Sequence, residues 1–256
     1  MRKAIIGGTG IYGLNSEVEQ KTVETIYGAV ECDLIRVADQ EIVFLARHGK
    51  GHSAPPHKIN YRANMMALKQ LEVKEIYATC AVGSMNPAFE PGDVVVINDF
   101  LDFTKSRVQT FYEGGDTKVA HVEMTQPYCP NLIDRFKNAV SLTNMTFKGE
   151  AVYVCTEGPR FETAAEIRMF QKLGGDVVGM TNVPESVLAK ELGMCYSALG
   201  ILTNWCTGVE GVQIEGHVID EAMGKNKESL TQLFIKLLTQ GSSDIKCHCD
   251  QSLIIL

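Results

Sequence analysis

Short runs of β-branched and aliphatic residues alternate along the chain with stretches of helical periodicity, and that alternation leaves few folds open. Residues 3–6, 41–45, 75–79, 93–97, 150–154, 176–178 and 196–202 read as strands, most of them apolar on both faces. Helical spacing runs over 64–71, 131–140, 163–173, 184–192 and 218–238. Pro184 suits a first helical turn, and Gly174, Gly175 and Gly193 suit helix ends. A sheet whose strands are apolar on both faces needs helices on both sides. The expected fold is therefore a single α/β domain over residues 1–240, followed by a C-terminal tail at 241–256.

Composition removes several classes of function. The 256 residues are 45% hydrophobic and 21% charged, enough for one large core. A net charge of −7 and no run of Lys or Arg give nucleic acid nothing to grip. No apolar run approaches the roughly 20 residues that span a bilayer, and the stretch after Met1-Arg2-Lys3 is too short for a signal peptide. A cytoplasmic protein without a membrane partner is expected. Cys32, Cys80, Cys129, Cys155, Cys195 and Cys206 lie in apolar sequence and read as small buried hydrophobes with reduced thiols. Cys247-His248-Cys249 packs three soft ligands together, but paired metal cysteines usually have two residues between them and no second pair follows. The tail therefore reads as inert and polar, with a thiol pair as the alternative and no metal expected.

Three segments carry the chemistry of oxyanion binding. Gly8-Thr9-Gly10-Ile11-Tyr12-Gly13 follows a strand and matches the dinucleotide fingerprint, with Asp33 twenty residues beyond. The fingerprint also needs a helix after its last glycine, and 14–21 has only Leu14 and Val18 to bury. A nicotinamide-binding oxidoreductase is the alternative from another class, and a plain tight turn is the structural one. A loop wrapping free phosphate fits better, because Arg47-His48 closes a second strand and the small residues Cys80-Ala81-Val82-Gly83-Ser84 follow a third. No Walker lysine pattern is present, which favours inorganic phosphate or a small phosphoester.

Six motifs in order complete the pattern: Gly7-Gly8-Thr9-Gly10, Arg47-His48-Gly49, Asn60-Tyr61-Arg62-Ala63-Asn64, Gly158 to Glu166, Gly179-Met180-Thr181-Asn182-Val183-Pro184-Glu185 and Leu202-Thr203-Asn204. Together they resemble the trimeric purine nucleoside phosphorylase and methylthioadenosine phosphorylase family over residues 1 to 240. The resemblance implies a mixed, partly closed β-sheet flanked by helices. It also implies transfer of a pentosyl group from a purine to inorganic phosphate, a co-substrate, with neither metal nor organic cofactor. Phosphate would be held by Thr9, Arg47, His48, Cys80, Ala81 and Thr181. Cys80 stands where methylthioadenosine enzymes carry a Thr, which leaves the Cys80-Ala81 backbone as the donor. The nucleoside would meet Phe161, Glu162, Met180, Asn204 and His217, with His121 arriving from a neighbouring subunit of a homotrimer or dimer of trimers.

Donor and acceptor patterns choose the base. Adenosine-type members carry Asp at the position of Asn204; an Asn amide donates to O6 and accepts from a protonated N7, which an ionised Asp cannot do. Glu162 falls where 6-oxopurine enzymes accept from N1–H, although a helix-start carboxylate would look the same. Asn204, Glu162 and Arg47 are thus the expected catalytic residues, for phosphorolysis of inosine and guanosine to free purine and ribose 1-phosphate in purine salvage. His217 would meet the 5′-hydroxyl. S-methyl-5′-thioinosine or 5′-methylthioadenosine phosphorolysis is the alternative.

Overall fold

The computed structural model describes residues 2–7, 18–37, 40–49, 51, 53–209, 216–239 and 245–256. Each expected helix is there, with ends displaced by at most three residues: α1 (Tyr61–Gln70), α2 (Pro130–Val140), α3 (Ala164–Lys172), α4 (Asn182–Glu191) and α5 (Gly216–Thr239). Inside α4, Val183 has φ −115° and ψ 126°, the extended geometry favoured before proline, so regular helix starts at Pro184. Gly174 and Gly193, with φ of +89° and +68°, close α3 and α4 in the left-handed conformation a helix C-terminus favours. Among the described residues, no helix is long and apolar enough to cross a membrane.

The strands are β1 (Arg2–Gly7), β2 (Val18–Thr25), β3 (Gly28–Val37), β4 (Gln40–Ala46), β5 (Val73–Ser84), β6 (Val94–Phe103), β7 (Ala120–Val122), β8 (Phe147–Thr156), β9 (Val177–Gly179), β10 (Cys195–Trp205) and β11 (Leu253–Ile255). Nine of them form one mixed sheet in the order β10-β6-β8-β9-β5-β1-β4-β3-β2. A further pairing of β10 with β5 closes the first five into a ring, and β1, β4, β3 and β2 extend from it as a wing. The expected mixed, partly closed sheet is this ring and wing.

Side chains alternate across the sheet as a period of two requires. Val43 and Leu45 of β4, with Ile76 and Ala78 of β5, join Met65 and Leu68 of α1 and Leu188 of α4 in one core. Ile42, Phe44 and Tyr77 point the other way, onto Phe136 of α2 and Phe234 and Leu237 of α5.

The sequence reading missed the β2–β3 hairpin because β2 buries little more than Val23 and so lacks an apolar alternation. That hairpin removes the dinucleotide alternative: the segment after the Gly-rich stretch is a strand by residue 18, and Asp33 lies mid-β3, antiparallel to Phe44. β5 also runs five residues past Thr79, because β10 stays paired with it as far as Trp205 and Ser84.

Candidate active site

The site begins with a break in a hydrogen-bond ladder. One edge of β5 is covered along its length by β10, from Glu75 to Ser84. On the opposite edge β1 stops at the Ile6–Ala78 pair, and β9 pairs only from Gly83. Residues 79–82 therefore face no strand on that edge among the described residues. A backbone edge left open inside a sheet is a ready recognition surface. Ala81 is exposed although its neighbours from Ile76 to Ser84 are buried.

Arg47 leaves the end of β4 and enters the break, its Nη1 donating to the Thr79 carbonyl at 2.9 Å. Its Nε and Nη2 donate to the two oxygens of Glu185 at 2.7 and 2.8 Å, a bidentate pair with both side chains essentially inaccessible to solvent. Burial opposes the Arg47 charge, but the Glu185 carboxylate outweighs it and holds the guanidinium protonated. Three of the five N–H donors are thereby engaged, and two remain for an anion. Glu185 sits in the first turn of α4, where the helix dipole favours a carboxylate, and accepts a third hydrogen bond from the Tyr196 hydroxyl at 2.7 Å.

The strand end opposite contributes Thr181. Val178 pairs with Gly83 antiparallel, so the chain beyond β9 runs back along the break. There the Asn182 amide reaches the Cys80 sulfur at 3.2 Å, and the Thr181 N–H donates to the Tyr153 hydroxyl at 3.0 Å. The Cys80 thiol is turned inward, with burial pushing it up to about 11, so any donor this residue offers to the break is its backbone. Gly179 is needed for this path: a Cβ there would lie 2.4 Å from the Tyr153 hydroxyl oxygen.

Toward the ring, Met180 covers Gly158, where a φ of +66° strains any larger residue and a Cβ would lie 2.6 Å from the Met180 sulfur. Glu162 is buried and accepts from the Thr156 hydroxyl at 2.6 Å. It lines a cleft of about 190 Å³ with Phe103, Thr156, Gly158 and Phe170. Glu162 directly precedes the N-cap of α3, but the capping box is made by Thr163 and Glu166, so a position at the helix start and a place in the cleft do not exclude each other. Burial raises the Cys206 thiol, and the nearby Glu162 charge adds to that. The same sulfur lies 2.9 Å from where a Gly83 Cβ would be, and the Asn204 amide nitrogen 3.2 Å from it. Glu162 and Asn204 thus both lie near Cys206. The Asn204 amide is held in one orientation: Oδ1 accepts from the Thr203 hydroxyl at 2.8 Å, and Nδ2 donates to the Trp205 carbonyl at 2.9 Å.

A single arc results, from Arg47 through Thr181 and Met180 to Glu162 and Asn204. The profile of the Phosphorylase superfamily matches residues 2–239. The chain belongs to that superfamily. It is 47% identical to a protein of Moorella thermoacetica named a probable 6-oxopurine nucleoside phosphorylase, over 97% of this chain and 96% of the relative. Its identity to the 6-oxopurine nucleoside phosphorylase of Pyrococcus furiosus is also 47%, over 98% and 97%. A probable S-methyl-5′-thioinosine phosphorylase of Methanopyrus kandleri is 46% identical over 97% and 96%. A crystal structure of a methylthioadenosine phosphorylase from an antarctic soil metagenomic library superposes with a TM-score of 0.87 at 33% identity, covering 98% of this chain and 90% of that one.

Other expected residues of this superfamily member fall elsewhere. His48 is buried beside Arg47, its Nδ1 2.9 Å from the Ala54 carbonyl, which makes Nδ1 the protonated nitrogen. Phe161 is half exposed on the loop before α3. His121 is exposed on β7, a ribbon docked near the far end of α4 from Thr181, where Lys190 donates to the Gln126 carbonyl. α4 is about 15 Å long, so His121 does not join the arc of its own chain. Thr9 lies outside the described residues, as does the side chain of His217, whose backbone is in the first turn of α5.

Three residues that hold the arc together had been given no role. Glu185 and Tyr196 fix Arg47, and Arg107 ties the two ends together by donating to the carbonyls of Val183, Thr156 and Glu157 at 2.6, 3.0 and 2.7 Å. Pro184-Glu185 was visible as a helix start, which signals a carboxylate but not its partner.

Proposed function

We propose that this protein is a phosphorylase of 6-oxopurine nucleosides, converting inosine and guanosine with inorganic phosphate to the free purine and ribose 1-phosphate. The observation that carries this reading is the break in the β5 ladder, with Arg47 inside it and Glu162 and Asn204 beyond Met180. Phosphate would occupy the break, meeting two guanidinium N–H groups, the backbone of Cys80 and Ala81, Thr181 and Thr9. His48, whose Nδ1 donates to the Ala54 carbonyl beside Arg47, would add a further contact to the phosphate.

A phosphate oxygen then bonds to C1′ as the bond from C1′ to N9 breaks, and the electron pair of that bond leaves with the purine. Positive charge develops on the sugar, next to the phosphate, and negative charge on the base. Asn204 has one N–H and one lone pair left after its contacts with Thr203 and Trp205, matching O6 and a protonated N7. Glu162 accepts from N1–H, and Met180 lies beneath the sugar. The near-equal identity to relatives named for S-methyl-5′-thioinosine supports a second reading in which the sugar carries a 5′-methylthio group.

Assembly as a homotrimer would carry each exposed His121 into a neighbour's site. The cytoplasm, where thiols stay reduced, suits a chain whose eight cysteines are unbridged. The deciding experiment supplies inosine with and without phosphate. Hypoxanthine release only with phosphate supports the reading, and phosphate-independent release or none overturns it. Comparing kcat/KM for inosine, guanosine, adenosine, methylthioadenosine and methylthioinosine separates the two sugar readings.

A further inference from the structure

At the start of β10, near the far end of α4 from Thr181, three segments remote in sequence bring four cysteines together. Cys129 is the N-cap of α2, Cys195 opens β10, and Cys247 and Cys249 come from the tail. Their four sulfur atoms all lie within 4.8 Å of one another, and Cys195 Sγ is 3.6 Å from Cys247 Sγ. We infer that these four cysteines form a structural zinc site, a closed tetrathiolate that staples the tail to the body of the domain.

The geometry fits one ion. A tetrahedral ion with bonds to sulfur of about 2.3 Å needs sulfurs about 3.8 Å apart, so the observed cage has to contract by no more than about 1 Å. Four sulfurs at that spacing, with no carboxylate or imidazole among them, suit a single soft, tetrahedral divalent ion. Cys129 and Cys249 are buried and Cys195 and Cys247 partly so, which leaves no open position for a catalytic water.

The cage is also built without the ion. Cys129 N–H donates to the Tyr196 carbonyl at 2.8 Å, joining α2 to the start of β10, and the Asn131 amide donates to the Ile245 carbonyl at 2.8 Å, holding the tail on α2. Binding turns four thiols into thiolates and releases four protons, so the loaded site carries two negative charges. Two nearby features answer them. Cys129 caps a helix N-terminus, and the Lys190 ammonium lines the same small cleft as Cys249. Sequence spacing pointed the other way because it shows only the Cys247-Cys249 pair; the second pair is supplied by the fold.

Metal analysis of the full-length protein, purified without chelator or added metal, is expected to give one zinc per chain. The two partly exposed cage thiols, Cys195 and Cys247, should resist a thiol reagent in the native protein and become reactive once a chelator strips the ion, while Cys32, Cys80, Cys155 and Cys206 are shielded by burial throughout. Cobalt substitution should produce the charge-transfer and d–d bands of a tetrahedral tetrathiolate. Cys247→Ser with Cys249→Ser should abolish zinc content, and Cys32→Ser, remote from the cage, should preserve it. Cobalt and thiol readings on the unmutated chain do not depend on a variant folding. Iron in place of zinc, disulfides among these residues in the mass spectrum, or no metal with Cys195 and Cys247 reactive would each overturn the assignment. None of these measurements uses nucleoside turnover, so the zinc site and the proposed activity stand or fall separately.

Discussion

At the oxyanion end of the arc, Arg47 is gripped by a buried carboxylate, a backbone carbonyl and, through Glu185, a tyrosine hydroxyl. At the base end, Glu162 is held by one threonine hydroxyl and Asn204 by one hydroxyl and one carbonyl. The first end is a charge locked before any ligand arrives, and its side chains are as buried as the core. The second is a pattern of donors and acceptors in which capacity is deliberately left over. Disturbing the first should therefore show in stability, and disturbing the second in substrate choice.

The largest effect is expected for Glu185→Gln, which leaves a buried guanidinium without its counter-charge. Breaking one side of a buried pair costs about 3–5 kcal/mol, or roughly 6–20 °C in Tm for a domain of this size. Added phosphate should raise Tm more in this variant than in the unmutated protein, since the anion supplies part of the missing charge. A variant with unchanged Tm and unchanged phosphate response would break the comparison at its oxyanion end.

Next is Asn204→Asp. A carboxylate there would face the Trp205 carbonyl that Nδ2 now contacts and would offer O6 no donor. One unmatched buried polar group costs about 1–3 kcal/mol, so inosine kcat/KM should fall about 5- to 150-fold while adenosine falls less. An intact inosine rate would remove Asn204 from base selection. Tm should fall less than for Glu185→Gln, because only the contact with the Trp205 carbonyl is lost.

The smallest effect is expected for Thr163→Ala. It removes one half of the capping box that sets the start of α3 and so the path of the Glu162 loop. The cost is about 1 kcal/mol, near 2–4 °C by thermal melting. A KM for inosine that rises with the loss of the cap, at constant KM for phosphate, would sharpen the separation of the two ends.

How much of this was legible in the chain follows from where each signal lies. The five helices announced themselves because their apolar faces, caps and terminal glycines are local. Arg47, Thr181, Met180, Glu162 and Asn204 were singled out by motif, and the arc brings those five together. The break between β1 and β9 was not legible, since it depends on three strands sharing β5, and no local pattern encodes a third neighbour. Glu185 was hidden for a related reason: its first-turn position explains a carboxylate on its own, while its partner is 138 residues away. The four-cysteine cage was hidden by distance too, with Cys129 and Cys195 looking like ordinary core residues.

The β7–β11 ribbon joins Ile254 to His121, which lies 133 positions earlier. During synthesis the earlier strand emerges long before its mate exists, and it waits as an unpaired three-residue segment while the ring behind it can already condense. The surface that bears His121 is thus completed late, by residues made after the helices and ring are in hand, and a nascent chain interrupted before that point would carry a finished core with an unfinished rim.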